Sequence, residues 1–127
     1  MKKIGIKPGH RLAILNPPQG FQKELAPLPD GVVNADKAPL DAAILFAANK
    51  AALDKDLGRV AAKLAPAGML WIAWPKMSSG VSTDLREGLV RDIGLAAGLV
   101  DIKVCAVNEV WSGLKFVIRV KDRKTRA

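Results

Sequence analysis

Met69-Leu-Trp-Ile-Ala-Trp74 is an unbroken apolar run fenced by Gly68 and Pro75. A strand with one face in water alternates apolar and polar residues, so a run without a polar residue has no wet face. Pro75 has no N–H to give to a neighbouring strand and stops the run. The segment therefore predicts a central parallel strand covered on both faces. It also predicts where a site lies. In open parallel sheets ligands bind beyond the carboxyl ends of the strands, and Pro75 to Thr83 leaves from such an end.

The rest of the chain arranges itself around that strand. Arg11 to Leu15 is a short apolar strand stopped by Asn16-Pro-Pro-Gln-Gly20, and Phe21 to Leu25 has room for a short helix before Pro27 and Pro29. Gly31 to Asn34 reads as an edge strand and Asp41 to Phe46 as a buried one. Lys50 to Leu64 carries Leu53, Leu57, Val60, Ala61 and Leu64 at helical spacing, with Asp54, Lys55, Asp56, Arg59 and Lys63 expected in water. Ala65 to Gly68 then turns the chain into the central strand. Ser82 or Thr83 is the expected cap of a second helix, with Asp84 and Glu87 in its first turn, a stripe of Leu85, Leu89, Ile93 and Ala97, and Gly98 as its stop. Asp101 to Val107 and Leu114 to Val120 form a closing hairpin across Asn108 to Gly113. Alternation of this kind gives an α/β fold: three-layer, Rossmann-like, with a mostly parallel sheet of about six strands ending in an antiparallel hairpin.

Composition limits the function classes. A chain of 127 residues is one domain by size, residues 1–120, followed by a basic tail at 121–127. The longest apolar run falls far short of the roughly 20 residues that cross a bilayer, and no signal-peptide core follows the first lysines, so a cytoplasmic protein without membrane contact is expected. The lone Cys105 has no disulfide or metal partner and reads as an inert buried thiol. His10 precedes the first strand, at the edge away from the site, and is not expected to be catalytic. Of the net charge of +8, much is terminal, including Lys121, Arg123, Lys124 and Arg126. A solvated tail is the plain reading, and weak nucleic-acid binding through it the sharper one.

Three segments carry a likeness to a known fold family. Arg11 to Leu15, Asp41 to Phe46 (a DxVLxF-like strand) and Leu64-Ala-Pro-Ala-Gly-Met-Leu-Trp-Ile72 (an LxPGGxLxI-like segment) resemble a pared-down class I methyltransferase. With Trp74 to Leu85 and Val107 to Phe116 added, nearly the whole chain resembles a bacterial family of unknown function, which implies the fold and supplies no activity. The methyltransferase likeness implies S-adenosylmethionine bound over a Gly-rich first turn, and an acidic residue, here Asp36, at its ribose. The turn departs from that pattern: Pro17 and Pro18 remove backbone donors, so the usual pose is not expected and no cofactor is assigned.

If the strands are parallel, four turns share one edge: Asn16 to Phe21, Ala47 to Asn49, Pro75 to Thr83 and Asn108 to Gly113. The candidate ligand-binding residues are Asn16 and Gly20, then Lys76, Ser78, Ser79, Gly80 and Thr83, then Glu109, Trp111 and Ser112. Lys76 and the Ser78-Ser79-Gly80 turn beside a helix N-terminus would suit an anion; a capping loop with an exposed lysine is the alternative. Trp111 could stack on a ligand ring or lid the core, and Glu109 could be a base or a surface charge. No metal cluster or nucleophilic triad assembles. Three functions remain open: a binding domain for a small anionic or nucleotide-like ligand, a minimal nucleotide- or S-adenosylmethionine-dependent transferase needing a partner chain, or a nucleic-acid-associated protein. A homodimer through an exposed edge strand fits any of them.

Overall fold

The computed structural model describes residues 5–21, 23, 28–35, 37–76 and 79–119. Asp36, Ser78, most of the short helix expected at Phe21 to Leu25, and the basic tail lie outside them. The strands are β1 (Arg11–Leu15), β2 (Val33–Asn34), β3 (Leu40–Phe46), β4 (Leu64–Pro75), β5 (Leu99–Ala106) and β6 (Trp111–Ile118). Two helices, α1 (Lys50–Lys63) and α2 (Glu87–Ala96), flank β4 in sequence.

All six strands form one sheet in the order β2-β1-β3-β4-β6-β5. β1 to β4 pair in parallel, and β6 runs antiparallel to both β4 and β5 between which it lies. The expected α/β fold, a mostly parallel six-stranded sheet ending in an antiparallel hairpin, is therefore present. Met69 to Trp74 is interior, each residue no more than 5% exposed. Its alternate side chains feed two cores: Leu70, Ile72 and Trp74 on one face, Met69, Trp71 and Ala73 on the other. Both described helices cover the first face, through Leu53, Leu57, Val60 and Val90. The second face is covered by the early chain, with Phe21 buried and Ile6, Leu28 and Val32 packed beside it.

Three boundaries and one helix face differ from the sequence reading. Ala65 to Gly68 does not leave the sheet: Leu64 already pairs with Leu40, and Met69 with Ala42, so five steps along β4 match two along β3. The expected turn is a bulge inside the strand, and Gly68 permits it, since a Cβ there would stand 2.6 Å from the Leu40 carbonyl oxygen. Helix α2 starts at Glu87, with Arg86 as its N-cap and no side-chain cap bond. Thr83 Oγ1 instead accepts the N–H of Leu85 at 3.1 Å, a local turn that holds the chain out of the helix.

The stripe of α2 is rotated as well. Val90 and Gly94 are its buried residues, Leu89 and Ile93 are half-buried, and Ala97 is exposed. Gly94 decides this, because only a hydrogen fits against Phe116. Gly98 ends the helix at φ +89°, as its type suggests. In the hairpin the turn is Val107 to Val110; Trp111 and Ser112 already belong to β6, opposite Pro75 and Trp74.

Candidate functional site

The expected convergence of turns is visible in individual bonds. The Lys76 N–H, just past β4, donates to the Val110 carbonyl at 2.7 Å, joining the central loop to the hairpin. Asp84 Oδ1 accepts the Lys50 N–H at 2.8 Å, joining the same loop to the first turn of α1. Phe21 meets Phe46 edge-on with ring centroids 4.7 Å apart, and Phe46 meets Trp111 edge-on at 5.0 Å. That row of rings ties the first loop, the end of β3 and the start of β6 together at one edge.

Beside the row lies a cleft of about 450 Å³, lined by Pro18, Gln19, Asn108, Glu109, Val110 and Trp111. A second hollow of about 320 Å³ shares Pro18 and Gln19 and continues along the first loop to Lys23. Asn108 shapes the wall, because its Oδ1 accepts the N–H groups of both Val110 and Trp111 at 2.9 Å. Trp111 is half-buried, its ring braced by Phe46. The cleft thus has apolar surfaces from Pro18 and the indole, an amide from Gln19 and a carboxylate from exposed Glu109. Such a mixture of apolar walls and a few polar groups suits a small molecule that is itself part apolar and part polar.

The remaining candidates take several positions. Asn16, at φ 55°, donates from Nδ2 to Asp56 Oδ2 at 3.0 Å, and Arg59 donates to Asp56 Oδ1 at 2.7 Å. Asp56 was expected in water and is only 7% exposed. These two donors satisfy its carboxylate, and the three residues latch the first loop onto α1. Gly20, at φ +84°, turns the loop with open space around it. Ser79 Oγ donates to the Lys76 carbonyl at 2.6 Å and accepts the Val81 N–H at 3.1 Å, so it folds the loop on itself. Gly80 supplies a left-handed turn at φ +80°. With α2 starting at Glu87, neither Ser79 nor Thr83 stands at a helix N-terminus. Ser112 is half-buried within β6.

The helix N-terminus that does face this edge belongs to α1, and it is occupied. Asn49 Oδ1 accepts the Ala52 N–H at 2.8 Å while Asp84 holds that of Lys50. Lys50 Nζ donates to Asp54 at 2.7 Å, and that bond raises the lysine pKa above its ordinary value. The Pro18 side of the cleft likewise lacks main-chain donors at Pro17 and Pro18, and the Phe21 N–H is spent on the Pro18 carbonyl at 3.1 Å. The residues present do not fit an S-adenosylmethionine amino-acid group in the pose that a Gly-rich first turn would give it. Among the described residues, no three His, Cys, Asp or Glu side chains could hold a metal.

Sequence reasoning placed Asn108 on this edge without making it a binding residue, and missed Pro18 and Gln19 as walls of the cleft and Asp56 as a latch. The Asn-Glu-Val-Trp spacing could have shown Asn108 as a turn former; nothing local marked Asp56 as buried.

No family model matches the chain, and no curated protein matches it in sequence. Solved structures do match in shape. A putative methyltransferase from Thermoplasma acidophilum superposes with a TM-score of 0.59 at 9% identity, over 90% of this chain and 70% of that one. The DhpI–SAH complex gives a TM-score of 0.56 at 12% identity, over 87% and 76%. Magnesium protoporphyrin IX methyltransferase from Synechocystis PCC 6803, solved with bound SAM, gives 0.50 at 13% identity, over 87% and 71%. At these identities the likeness speaks of architecture, and on that ground the chain has the fold of the class I methyltransferases.

Proposed function

We propose that this chain holds a nucleotide-like ligand of the S-adenosylmethionine class in the cleft between Pro18–Gln19 and Asn108–Trp111, as a minimal transferase domain completed by a partner chain. The observation that carries the proposal is the position of that cleft, at the strand-end edge of a fold shared with structures solved with SAM and with SAH. A purine ring would lie against the indole of Trp111 and the ring of Pro18. The Glu109 carboxylate next to an aromatic face suits a sulfonium or an amine, and the Gln19 amide can bond a sugar hydroxyl. Lys76, whose main chain is bonded to Val110, stands close enough to the hairpin to meet a carboxylate or phosphate at the rim. The pose is thus shifted from the first turn toward the hairpin.

One observation favours a second reading, a binding domain without chemistry: among the described residues, Glu109 is the only titratable side chain lining the cleft. A lone carboxylate can hold a cation without moving a proton. Either way the partner would pair along β5, an edge strand on which Ile102 and Val104 are 54% and 49% exposed, and a second copy of the chain is one candidate.

Calorimetric titration with S-adenosylmethionine, S-adenosylhomocysteine, adenosine and AMP tests the proposal. Binding of at least the first, weakened by Glu109→Gln and lost in Trp111→Ala, is expected; silence from all four would contradict it. Transfer of a labelled methyl group to any acceptor in a cell extract would separate the transferase from the binding domain.

A further inference from the structure

A separate cavity, of about 280 Å³, opens on the helix-bearing face between α1 and the β1–β2 side of the sheet. It shares no lining residue with the strand-end cleft. Its origin is topological. β2 pairs with β1 only through Arg11–Val33 and Leu12–Asn34, and α1 is seated over the neighbouring β3 and β4. The face of β1 therefore meets the side of α1 across a gap. Ala13, Leu40 and Val60 line it and are at most 8% exposed, while half-buried Ala35 lines its outer side. Two cations complete the lining, Arg59 and Lys63, four residues apart on α1 and so on one side of the helix.

We infer that this cavity binds a small anionic amphiphile, a compact alkyl or arylalkyl carboxylate, with its apolar body on Ala13, Leu40 and Val60 and its anion on Arg59. The size selects the class. At about 280 Å³ the cavity stands at the lower end of small-molecule sites, below what a nucleotide fills. The apolar floor selects a hydrocarbon body, because covering it takes apolar surface out of water. The charge selects the sign. Arg59 spends one donor on Asp56, and a guanidinium has five in a fork that matches a carboxylate. The Asp56 carboxylate, turned to Asn16 and Arg59, does not line the cavity.

Octanoate and octylammonium, titrated into the full chain and followed by amide NMR, test this. Octanoate should shift the amides of Ala13, Ala35 and Val60 and saturate in the millimolar range, and octylammonium should not. Arg59→Gln, whose side chain is mostly in water, should weaken octanoate about tenfold, a change of about 1.4 kcal/mol. Ala35→Phe should close the cavity and abolish the response while the circular dichroism of the fold is kept. An equal response to both amphiphiles, shifts located elsewhere, or octanoate binding indifferent to Arg59→Gln would overturn the inference.

Discussion

The carboxylate of Asp84 accepts the backbone N–H of Lys50 at 2.8 Å, closing the loop after β4 onto the first turn of a helix 34 residues earlier. A helix N-terminus is ordinarily a ready anion site, since its first N–H groups point outward with a partial positive charge. Here the chain supplies its own anion. The edge of the sheet is therefore organised by internal bonds at α1, and the proposed ligand lies on the hairpin side instead.

Removing that anion should expose the helix end. Asp84→Ala is expected to cost about 1 kcal/mol, the usual loss for a helix cap. Its melting temperature should then rise more in phosphate relative to chloride, at equal ionic strength, than that of the unaltered protein, which gains only the general stabilisation by phosphate. Thermal melts in the two salts check this.

The Asn16–Asp56–Arg59 latch has a comparable consequence. Asp56→Ala leaves the Asn16 amide and the Arg59 guanidinium without their acceptor at a nearly buried site, and about 1–3 kcal/mol of stability should be lost. Hydrogen exchange at Gln19 and Gly20 should accelerate more than at β3, because the first loop loses its tether to α1.

How much of this was legible in the sequence depends on whether local residue type or distant packing decides. Met69 to Trp74 announced a doubly covered strand because burial on both faces leaves no polar position, and a mostly parallel sheet followed from alternation of elements; the order of its strands did not. The start of α2 was misread because Ser82, Thr83 and Asp84 all have capping chemistry. Which of them caps which helix depends on where α1 lies in space, and Asp84 went to α1. The burial of Asp56 depends on Asn16, forty positions away. The cleft was half legible: Trp111 and Glu109 were named, but Pro18 and Gln19 join them only through the Phe21–Phe46–Trp111 row.

Two glycines on the same helix should respond oppositely to the same change. A Cβ at Gly94 would stand 2.1 Å from Phe116 Cε1, so Gly94→Ala must displace a fully buried ring and should cost about 1–3 kcal/mol or more. At Gly88 nothing lies within 4 Å, and Gly88→Ala should stabilise the protein by about 0.5–1 kcal/mol through helix propensity. Urea unfolding of both variants measures the contrast.

Acid should weaken the join between α2 and β5. Arg91 Nε donates to Asp101 Oδ2 at 2.8 Å, and this bond lowers the Asp101 pKa below its ordinary value. Because the folded-state value is the lower one, the stabilisation is present above the unfolded carboxylate range, near 4, and is lost as pH falls through the folded value. Arg91→Met should flatten that part of the stability–pH curve, with little added loss at pH 3, as denaturant midpoints between pH 7 and pH 2 would show.

The central claim, that the hairpin side of the strand-end edge is the ligand site, is tested most directly by the indole N–H resonance of Trp111 during titration with S-adenosylmethionine. The account expects that resonance to move together with the amides of Gln19 and Glu109, while Asn49 and Lys50 at the capped end of α1 stay fixed. Movement at Asn49 and Lys50 with a silent Trp111 would contradict it.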